Sequence, residues 1–522
     1  MQIMKLLLLA VYFAVLLFIG FKCRRGASSV DGFVLGGRSV GAWLTAFAYG
    51  TSYFSAVVFV GYAGQFGWKY GIAATWAGIG NALVGSLLAW TVLGRRTRLL
   101  TQHLSASTMP EFFGRRFDSR ALKIVASVII FVFLVPYTAS LYNGLSRLFG
   151  MAFSIDYSVC IVLMSVLTAI YVIAGGYLAT AINDFIQGII MLFGLCAVIA
   201  AVILSKGGLT SALDGLARVT DPAVTTTPGV FNSFFGPDPL GLLFVVILTS
   251  LGTWGLPQMV QKFYAIKNEE AVRKGTVIST LFAFVIAGGC YFLGGFGRLF
   301  GDQVGLVAGP NGALVPQGGF DAIIPTMLSN LGPGLIALTV ILVLSASMST
   351  LSSLVITSSS TLTTDFIKES FAKGMQPKRE VFTIRVFIVV FIVLSAVLAM
   401  IQHKSSVTFI AQLMGISWGA LAGSFLAPFL YALYWKGTTK AACWVSFVFG
   451  SGLMVWDMVA RETLPKILQS PINCGSIAML AGFVIVPLVS VFTKAPDRRF
   501  TDKLFACYDR PHPVAAKTAL AD

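Results

Sequence analysis

Charged residues and the side chains that build reactive centres are scarce in this sequence. Only 11% of its 522 residues are charged, compared with roughly 25% in soluble domains. The seven cysteines stand singly, without a CxxC pair, which supports neither a disulfide framework nor a zinc site. No GxxxxGK[ST] loop for ATP phosphates and no clustered nucleophile and base occur. The sequence therefore predicts neither an enzyme nor an ATP-driven pump, and it implies no organic cofactor.

Long apolar runs fill the chain instead, and 57% of its residues are hydrophobic. A run of about 20 apolar residues crosses a bilayer as a helix, because lipid offers no partners to backbone polar groups. The alternating pattern of a membrane β-barrel is absent. The predicted fold class is all-α and integral to the lipid bilayer, as one domain over residues 1–522. We predict about thirteen spans, near residues 3–22, 41–65, 70–93, 122–149, 155–175, 180–204, 238–258, 274–299, 333–358, 382–401, 406–434, 440–459 and 475–493.

An excess of basic residues gives the chain a net charge of +16, which raises the question of nucleic-acid binding. These residues gather in short loops between alternate predicted spans, including Lys262 and Lys267, and in the tail 494–522. Such alternation follows the positive-inside rule of membrane proteins. We therefore expect a multi-pass protein of the cell (plasma or inner) membrane, with its N-terminus outside, its C-terminus in the cytoplasm and no nucleic-acid partner.

Two predicted spans carry residues that interrupt helices at membrane depth. The second span contains AYGTSYFSAVVFVGYAG, and the seventh contains TSLGTWGLPQ. Gly and Pro weaken a helix interior, and paired interruptions in two halves of a chain are typical of inverted-repeat transporters. Two five-span repeats would cover 41–204 and 238–434, after a leading span at 3–22 and before two spans over 440–493. The alternative is that the small residues only allow close helix packing.

The ninth predicted span is rich in hydroxyl side chains, in the run LSASMSTLSSLVITSSSTLTTDF. Ala346, Ser349, Thr350 and Ser353 share one face of this helix. Sodium is a hard cation that favours oxygen ligands, so adjacent hydroxyls and the carbonyls freed by a broken helix could form a neutral cage for it. The alternative is that Ser and Thr bond back to carbonyls one turn earlier, which is favoured for the stretch 357–361.

Four stretches of the chain resemble segments of one known family. They are MSTLSS followed by SSSTLTTDF, GGRSVGAWLTAFAYGTSYFSAVVFVGYAG, GGYLATAINDFIQG, and GTWGLPQMVQKFYAIKNEEAVRKG. In register over roughly residues 30–440, they resemble the sodium:solute symporter family. The resemblance implies a LeuT-like fold of two inverted five-helix repeats. It also implies a sodium site made of the carbonyls of Thr51, Phe54 and Ala346 and the side-chain oxygens of Ser349 and Thr350.

Asp184 matches an acidic residue of that family, which lies near the cytoplasmic exit of the ion. An ionisable residue inside a membrane span is a functional candidate by default, and a structural hydrogen bond at a helix end is the alternative. Proton coupling through Asp184 in place of sodium also stays open, since protons usually need a titrating acid.

The solute is expected at the midplane, beside both broken helices. The candidate lining residues are Tyr53, Ser55, Ala56, Val57, Tyr137, Ser250, Thr253, Trp254 and Gln258. Proline permeases of the family carry an aspartate at the position of Tyr53, and sugar-transporting members carry a glutamine at Val58 and a tyrosine at Thr253. Pantothenate-permease-like members have a similar TY…SA…FIGG run and a G-T-x-G-L-P-x motif. Neither broken helix offers an acid for an ammonium group, whereas half-helix N–H groups can hold a carboxylate.

The resemblance therefore implies a symporter that imports a small organic solute by alternating access, with sodium as the coupling ion. The main prediction for the solute is an organic acid such as pantothenate or a monocarboxylate. Proline, another amino acid or a sugar is the alternative. An ion channel would need a continuous polar pore, and a sensor would need a signalling domain. The expected partners are the solute and the lipid bilayer, and no obligatory protein partner is indicated.

Overall fold

The computed structural model describes residues 2–25, 27–153, 156–309, 312–329, 331–405 and 410–509. The starts of the predicted spans 155–175 and 406–434, and the end of the predicted tail 494–522, lie outside these residues. The first half of the chain forms the helices α1 (Gln2–Lys22), α2 (Val30–Leu35), α3 (Ala42–Tyr53), α4 (Ala63–Tyr70), α5 (Thr75–Ala82), α6 (Arg95–His103), α7 (Met109–Arg116), α8 (Arg120–Phe153), α9 (Tyr157–Ser205) and α10 (Leu209–Ala217).

Helices also dominate the second half. They are α11 (Pro239–Gly255), α12 (Pro257–Ala265), α13 (Glu269–Ala283), α14 (Gly289–Gly295), α15 (Gly301–Val304), α16 (Ile323–Ser329), α17 (Pro333–Thr361), α18 (Lys368–Ser370), α19 (Pro377–Ser405), α20 (Ile410–Tyr434), α21 (Lys440–Ala460), α22 (Pro471–Phe492) and α23 (Arg498–Phe505). Short π-helical segments lie at Val57–Tyr62, Leu83–Leu88, Trp90–Gly94, Phe284–Gly288 and Leu362–Ile367. Short 3-10 turns lie at Cys23–Arg25, Gly36–Arg38, Gly71–Ala74, Val230–Asn232, Gly297–Phe300, Phe320–Ala322, Arg461–Thr463, Lys466–Leu468 and Ala506–Tyr508.

The fold is helical, as predicted, and one small hairpin lies among the helices. Strand β1 (Leu306–Ala308) pairs antiparallel with β2 (Leu314–Pro316), and Val307 lies opposite Val315. The hairpin stands in the long loop between α15 and α16, where it pairs backbone groups that no helix satisfies.

Within the described residues, nine helical runs are long and apolar enough to cross a membrane, or ten if the bent pair α11–α12 counts as one span. The sequence predicted about thirteen. The two numbers differ partly because the described stretch Leu9–Lys22 of α1 is short. In addition, Val57–His103 and Tyr157–Ser205 each join residues of two predicted spans in one run of 47 and 49 residues.

Glycines interrupt both of these long runs. At 1.5 Å per residue such a run would be about 70 Å long, whereas the hydrocarbon core is about 30 Å thick. Gly71 has φ 63° and ψ −143°, and Gly176 has φ 57° and ψ −154°. Residues with a Cβ rarely adopt this region. Each run therefore consists of two helices separated by a glycine.

Helices α20 and α17 form the core of the bundle. In their most apolar stretches, 94% and 72% of the residues are buried by the rest of the protein. α20 packs against α8, α11, α21 and α22, and α17 packs against α3, α8, α9 and α19. The interrupted helix α3 thus ends against the hydroxyl-rich helix α17, and α12 approaches both.

Candidate sodium and solute sites

Helix α3 ends in the middle of the second predicted span. Phe54 has an extended backbone (φ −102°, ψ 117°), and the helix resumes with the π-helical segment Val57–Tyr62. The N–H of Phe54 donates to the carbonyl of Gly50 at 3.2 Å, as the last helical bond. The final carbonyls of a helix have no helical N–H to accept from. They are therefore available to side chains or to an ion.

The predicted sodium ligands of α3 and α17 lie against each other. Ser349 Oγ donates to Thr51 Oγ1 at 2.6 Å. Thr350 Oγ1 is 3.2 Å from the carbonyl oxygen of Thr51 and 3.1 Å from that of Ala346, and can donate to either. Phe54 lies at the break and lines a small apolar cavity together with Ala346. All five residues are buried, so neutral hydroxyl and carbonyl oxygens meet away from water, as a hard cation requires.

The hydroxyls at the far end of α17 mostly serve their own helix. Ser358, Ser360 and Thr361 donate to carbonyls three or four residues earlier, at 2.9 to 3.2 Å, as the alternative reading of this stretch predicted. Thr357 departs from the pattern, because its Oγ1 donates to Gln261 Oε1 at 2.7 Å and so ties α17 to α12. Back-bonding therefore explains the end of the helix, whereas Ser349 and Thr350 reach α3.

Asp184 lies on α9 with its side chain fully buried, and a lysine faces it. Lys262 Nζ is 3.9 Å from Asp184 Oδ2 and donates to Ser353 Oγ at 3.0 Å. The same ammonium stands 5.1 Å from the ring centroid of Tyr177. Ser353 in turn shares a 2.7 Å hydrogen bond with Ser52 of α3. Four helices, α3, α9, α12 and α17, thus meet through one buried polar cluster.

The prediction that Lys262 lies in a loop is wrong. It lies in α12, and only 2% of its side chain is exposed. The physical reason is that the helix does not end near Pro257 but continues as a second half, bent by 46° from α11. A buried ammonium group needs a compensating charge. Asp184, which is remote in sequence, supplies it.

Leu256, with φ −80° and ψ 121°, separates α11 from α12. The candidate solute residues before this break contact the third predicted span: Ser250 donates to Asn81 Oδ1 at 3.1 Å, Thr253 to the carbonyl of Gly85 at 3.1 Å, and Trp254 to the carbonyl of Val84 at 2.9 Å. Gln258 follows the break and is buried. Within the described residues, neither its amide oxygen nor its amide nitrogen has a hydrogen-bond partner.

An aromatic cluster lies beside the first break. Tyr53 donates a hydrogen bond to the carbonyl of Thr249, and its ring stacks on Trp418 with centroids 5.6 Å apart. Tyr137 meets Trp418 edge-on, with ring centroids 5.9 Å apart. The hydroxyl of Tyr137 and the indole N–H of Trp418 are buried, and this hydroxyl lies near both Trp418 and Ser55. A polar solute could bond to these groups in exchange for the contacts between them.

The remaining candidates continue the chain after the break. The N–H of Ala56 donates to Ser347 Oγ at 3.1 Å, and the N–H of Val57 donates to Ser55 Oγ at 3.2 Å. All of these residues are buried. Backbone N–H groups at the start of the resumed helix, which have no helical partner, thus donate to a hydroxyl of α17 and to a hydroxyl of the break itself.

Comparison with known proteins identifies the family. The model of the sodium:solute symporter family matches residues 33–450. The chain belongs to the sodium:solute symporter family. It is a multi-pass membrane transporter, and its solute is a small molecule. One relative, a sodium/proline symporter of Staphylococcus aureus, is 29% identical over 501 residues, which cover 94% of this chain and 93% of the relative. The sodium/proline symporter of strain NCTC 8325 is also 29% identical, over 502 residues.

Solved structures of transporters share the fold of this symporter. A sodium-coupled sialic acid symporter, in a substrate-bound outward-open state, has a TM-score of 0.70 at 16% identity, with 95% of this chain and 99% of that chain covered. A mutant manganese transporter of Eremococcus coleocola has a TM-score of 0.50 at 13% identity, with 92% and 97% covered. At these identities the likeness shows the fold alone, and it is the LeuT-like fold that the motifs implied.

Three residues of the candidate sites in this symporter were not predicted from the sequence. Lys262 lies four residues after the end of the interrupted run GTWGLPQ, so its place in the chain was a usable signal. Trp418 is a single large residue within the small-residue run GISWGALAG, where a bulky ring must have neighbours to fill its surroundings. Ser353 lay on the predicted hydroxyl face, but its contact with Lys262 joins two helices and leaves no local pattern.

Proposed function

We propose that this symporter uses the sodium gradient to import L-proline or a related small zwitterionic amino acid by alternating access. The observation that carries the proposal is the 29% identity to a sodium/proline symporter over 94% of the chain. The family match supports sodium as the coupling ion. The relatives thus favour proline, the alternative solute, over the organic acid that the motifs alone predicted.

The proposed sodium site consists of the five predicted ligands. The carbonyls of Thr51, Phe54 and Ala346 and the hydroxyls of Ser349 and Thr350 would surround the ion. Bound sodium would join the end of α3 to α17 and so stabilise one arrangement of these helices. Coupling requires only that ion and solute both bind this arrangement better than the other. Asp184 would then lie on the path by which sodium leaves towards the cytoplasm.

The proposed solute site lies beside the two helix breaks, with Tyr53, Tyr137 and Trp418 as its aromatic wall and Gln258 as its buried amide. The indole N–H and the amide N–H groups can donate to a carboxylate, and the amide oxygen can accept from an ammonium group. The aromatic faces add cation–π attraction. A zwitterion can therefore be bound by neutral groups, although Tyr53 stands where proline permeases of the family carry an aspartate.

An organic acid is the second candidate solute. It is favoured by one observation, namely that the side chains of Trp418 and Gln258 are neutral and carry N–H donors, and that both polar atoms of Gln258 have no hydrogen-bond partner within the described residues. Such a site binds an anion without the repulsion that an aspartate would cause.

We further propose thirteen spans in the order expected for two inverted repeats. We reach thirteen spans by counting the other membrane-crossing helices together with α1, the two halves of each glycine-interrupted run and the bent pair α11–α12. The basic loops support an orientation with the N-terminus outside and the C-terminus in the cytoplasm. The proposed repeats cover 41–204 and 238–434.

Uptake into proteoliposomes tests the proposal. The purified protein is reconstituted, and initial uptake of radiolabelled L-proline, pantothenate, pyruvate and glucose is measured with an inward sodium gradient or with choline in place of sodium. We expect sodium to accelerate proline uptake about tenfold or more. Sodium-dependent uptake of pantothenate or pyruvate alone would establish the organic acid instead. Uptake that follows a proton gradient and ignores sodium would overturn the coupling ion.

A further inference from the structure

We propose that Lys262 is a tethered cation that neutralises the carboxylate of Asp184. The carboxylate is thereby prevented from trapping the sodium ion that leaves the proposed cage. The inference rests on the proposed sodium coupling, and it assigns a positioning role to a residue of the second broken helix. It also implies that the buried acid is not a second sodium site in this chain.

The contacts form a continuous polar path from the proposed sodium cage to Lys262. Thr51 and Ser349 are joined at 2.6 Å within the cage, and Ser349 also lies near the carboxylate of Asp184. Beyond the carboxylate lies Lys262, at 3.9 Å. An ion that moves from the cage along these groups therefore passes the Asp184–Lys262 pair.

Burial of the Asp184–Lys262 pair determines how strongly the carboxylate would attract a sodium ion. Asp184 is fully buried, and 2% of the Lys262 side chain is exposed. A carboxylate in such a place is poorly stabilised by water, so it must pair with a cation or take up a proton. Without Lys262 that cation would be sodium, held more tightly than a transport cycle allows. With Lys262 in place the carboxylate already has its partner, and sodium is released.

Lys262 is also connected to the helix that must move. Its Nζ donates to Ser353 Oγ at 3.0 Å, and Ser353 is bonded to Ser52 at 2.7 Å. Ser52 is the neighbour of the cage residue Thr51. The ammonium thus links α12 through α17 to the end of α3, and it can hold these helices together in the part of the cycle without sodium.

Equilibrium binding of 22Na+ to the purified protein tests the inference. The variants are K262M, which removes the charge, D184N/K262M, which removes the pair, and K262R, which keeps the charge. The control is K267M, because Lys267 is an exposed lysine five residues further along the chain. We expect K262M to bind sodium about tenfold more tightly or to bind an additional ion per chain. D184N/K262M, K262R and K267M should bind as the wild type does.

Two results would overturn the inference. One is wild-type sodium binding in K262M, and the other is tight binding that persists in D184N/K262M. If K262M does not fold, as judged by gel filtration, D184N alone carries the test. It leaves the ammonium uncompensated beside the cage and should weaken sodium binding about tenfold, with recovery in D184N/K262M. Unchanged binding in D184N would then refute the role of Lys262. A wild-type protein that binds no sodium would instead refute the proposed coupling.

Discussion

Ser349 and Thr350 are the side chains of α17 that contact Thr51 at the interrupted end of α3. Replacing both by alanine removes two oxygen ligands from the proposed cage while leaving the helix intact. We expect the sodium concentration for half-maximal uptake to rise by about 30- to 150-fold, since each lost polar contact is worth about 1–1.5 kcal/mol. Sodium-dependent uptake by S349A/T350A in proteoliposomes measures this.

Thr361→Ala is the matched control for these hydroxyls. The Thr361 hydroxyl donates only to carbonyls of its own helix, at 2.9 and 3.0 Å, so its loss should leave the sodium dependence unchanged. Equal sodium dependence in S349A/T350A and the wild type would show that the ion binds elsewhere.

Trp418 offers a prediction for the solute alone. Trp418→Phe keeps the ring that stacks on Tyr53 but removes the indole N–H. If this N–H donates to the solute, the KM for solute should rise about fivefold, from a loss of about 1 kcal/mol, at unchanged sodium affinity. Trp456→Phe serves as the control, since that indole is 54% exposed and bonds to Thr463. A rise in the sodium requirement, or no change in KM, would remove Trp418 from the solute site.

At the scale of whole helices, hydropathy was enough to place the membrane-crossing segments. α17, α19, α20 and α22 each overlap a predicted span, because apolar length alone determines which segments can enter lipid. The interruption after Tyr53 was also foreseeable, because small and hydroxyl residues cluster there. The position of Lys262 was not. A lysine normally indicates a loop, and its counter-charge Asp184 belongs to another helix that only the folded chain brings near.

Gly71 separates α4 from α5 and allows a prediction about this turn. Its φ of 63° disfavours any Cβ, and an added Cβ would overlap the backbone of Phe231. Since backbone atoms cannot yield as a flexible side chain can, Gly71→Ala should cost about 2–4 kcal/mol of stability. Thermal unfolding in detergent measures the loss. Gly452→Ala, within α21 and with nothing within 4 Å of its added Cβ, should unfold at the wild-type temperature. Equal unfolding temperatures for both variants would contradict the claim that this turn requires a glycine.

The arrangement of the whole molecule across the membrane is tested by labelling. In a variant without the seven native cysteines, Thr227→Cys in the loop between α10 and α11 should react with an impermeant maleimide added to intact cells. Lys373→Cys, in the loop between α18 and α19, should react only after the cells are opened. Both positions are exposed, so reactivity reports the side of the membrane and not burial. The reverse pattern would invert the proposed orientation.

The voltage dependence of transport reports the net charge moved per cycle. This charge depends on the proposed sodium cage, on the Asp184–Lys262 pair and on the charge of the solute. One cage, with Asp184 already neutralised by Lys262, implies one sodium ion per cycle. With a zwitterionic solute the cycle then moves one net charge, and each 100 mV contributes about 2.3 kcal/mol. The steady-state accumulation of proline in proteoliposomes, set against a potassium diffusion potential, should therefore change tenfold for every ~59 mV. A slope of tenfold per ~30 mV would mean two charges and would contradict the single cage. A solute whose accumulation ignores voltage would be an anion carried with one sodium ion, and the proline proposal would give way to the organic acid.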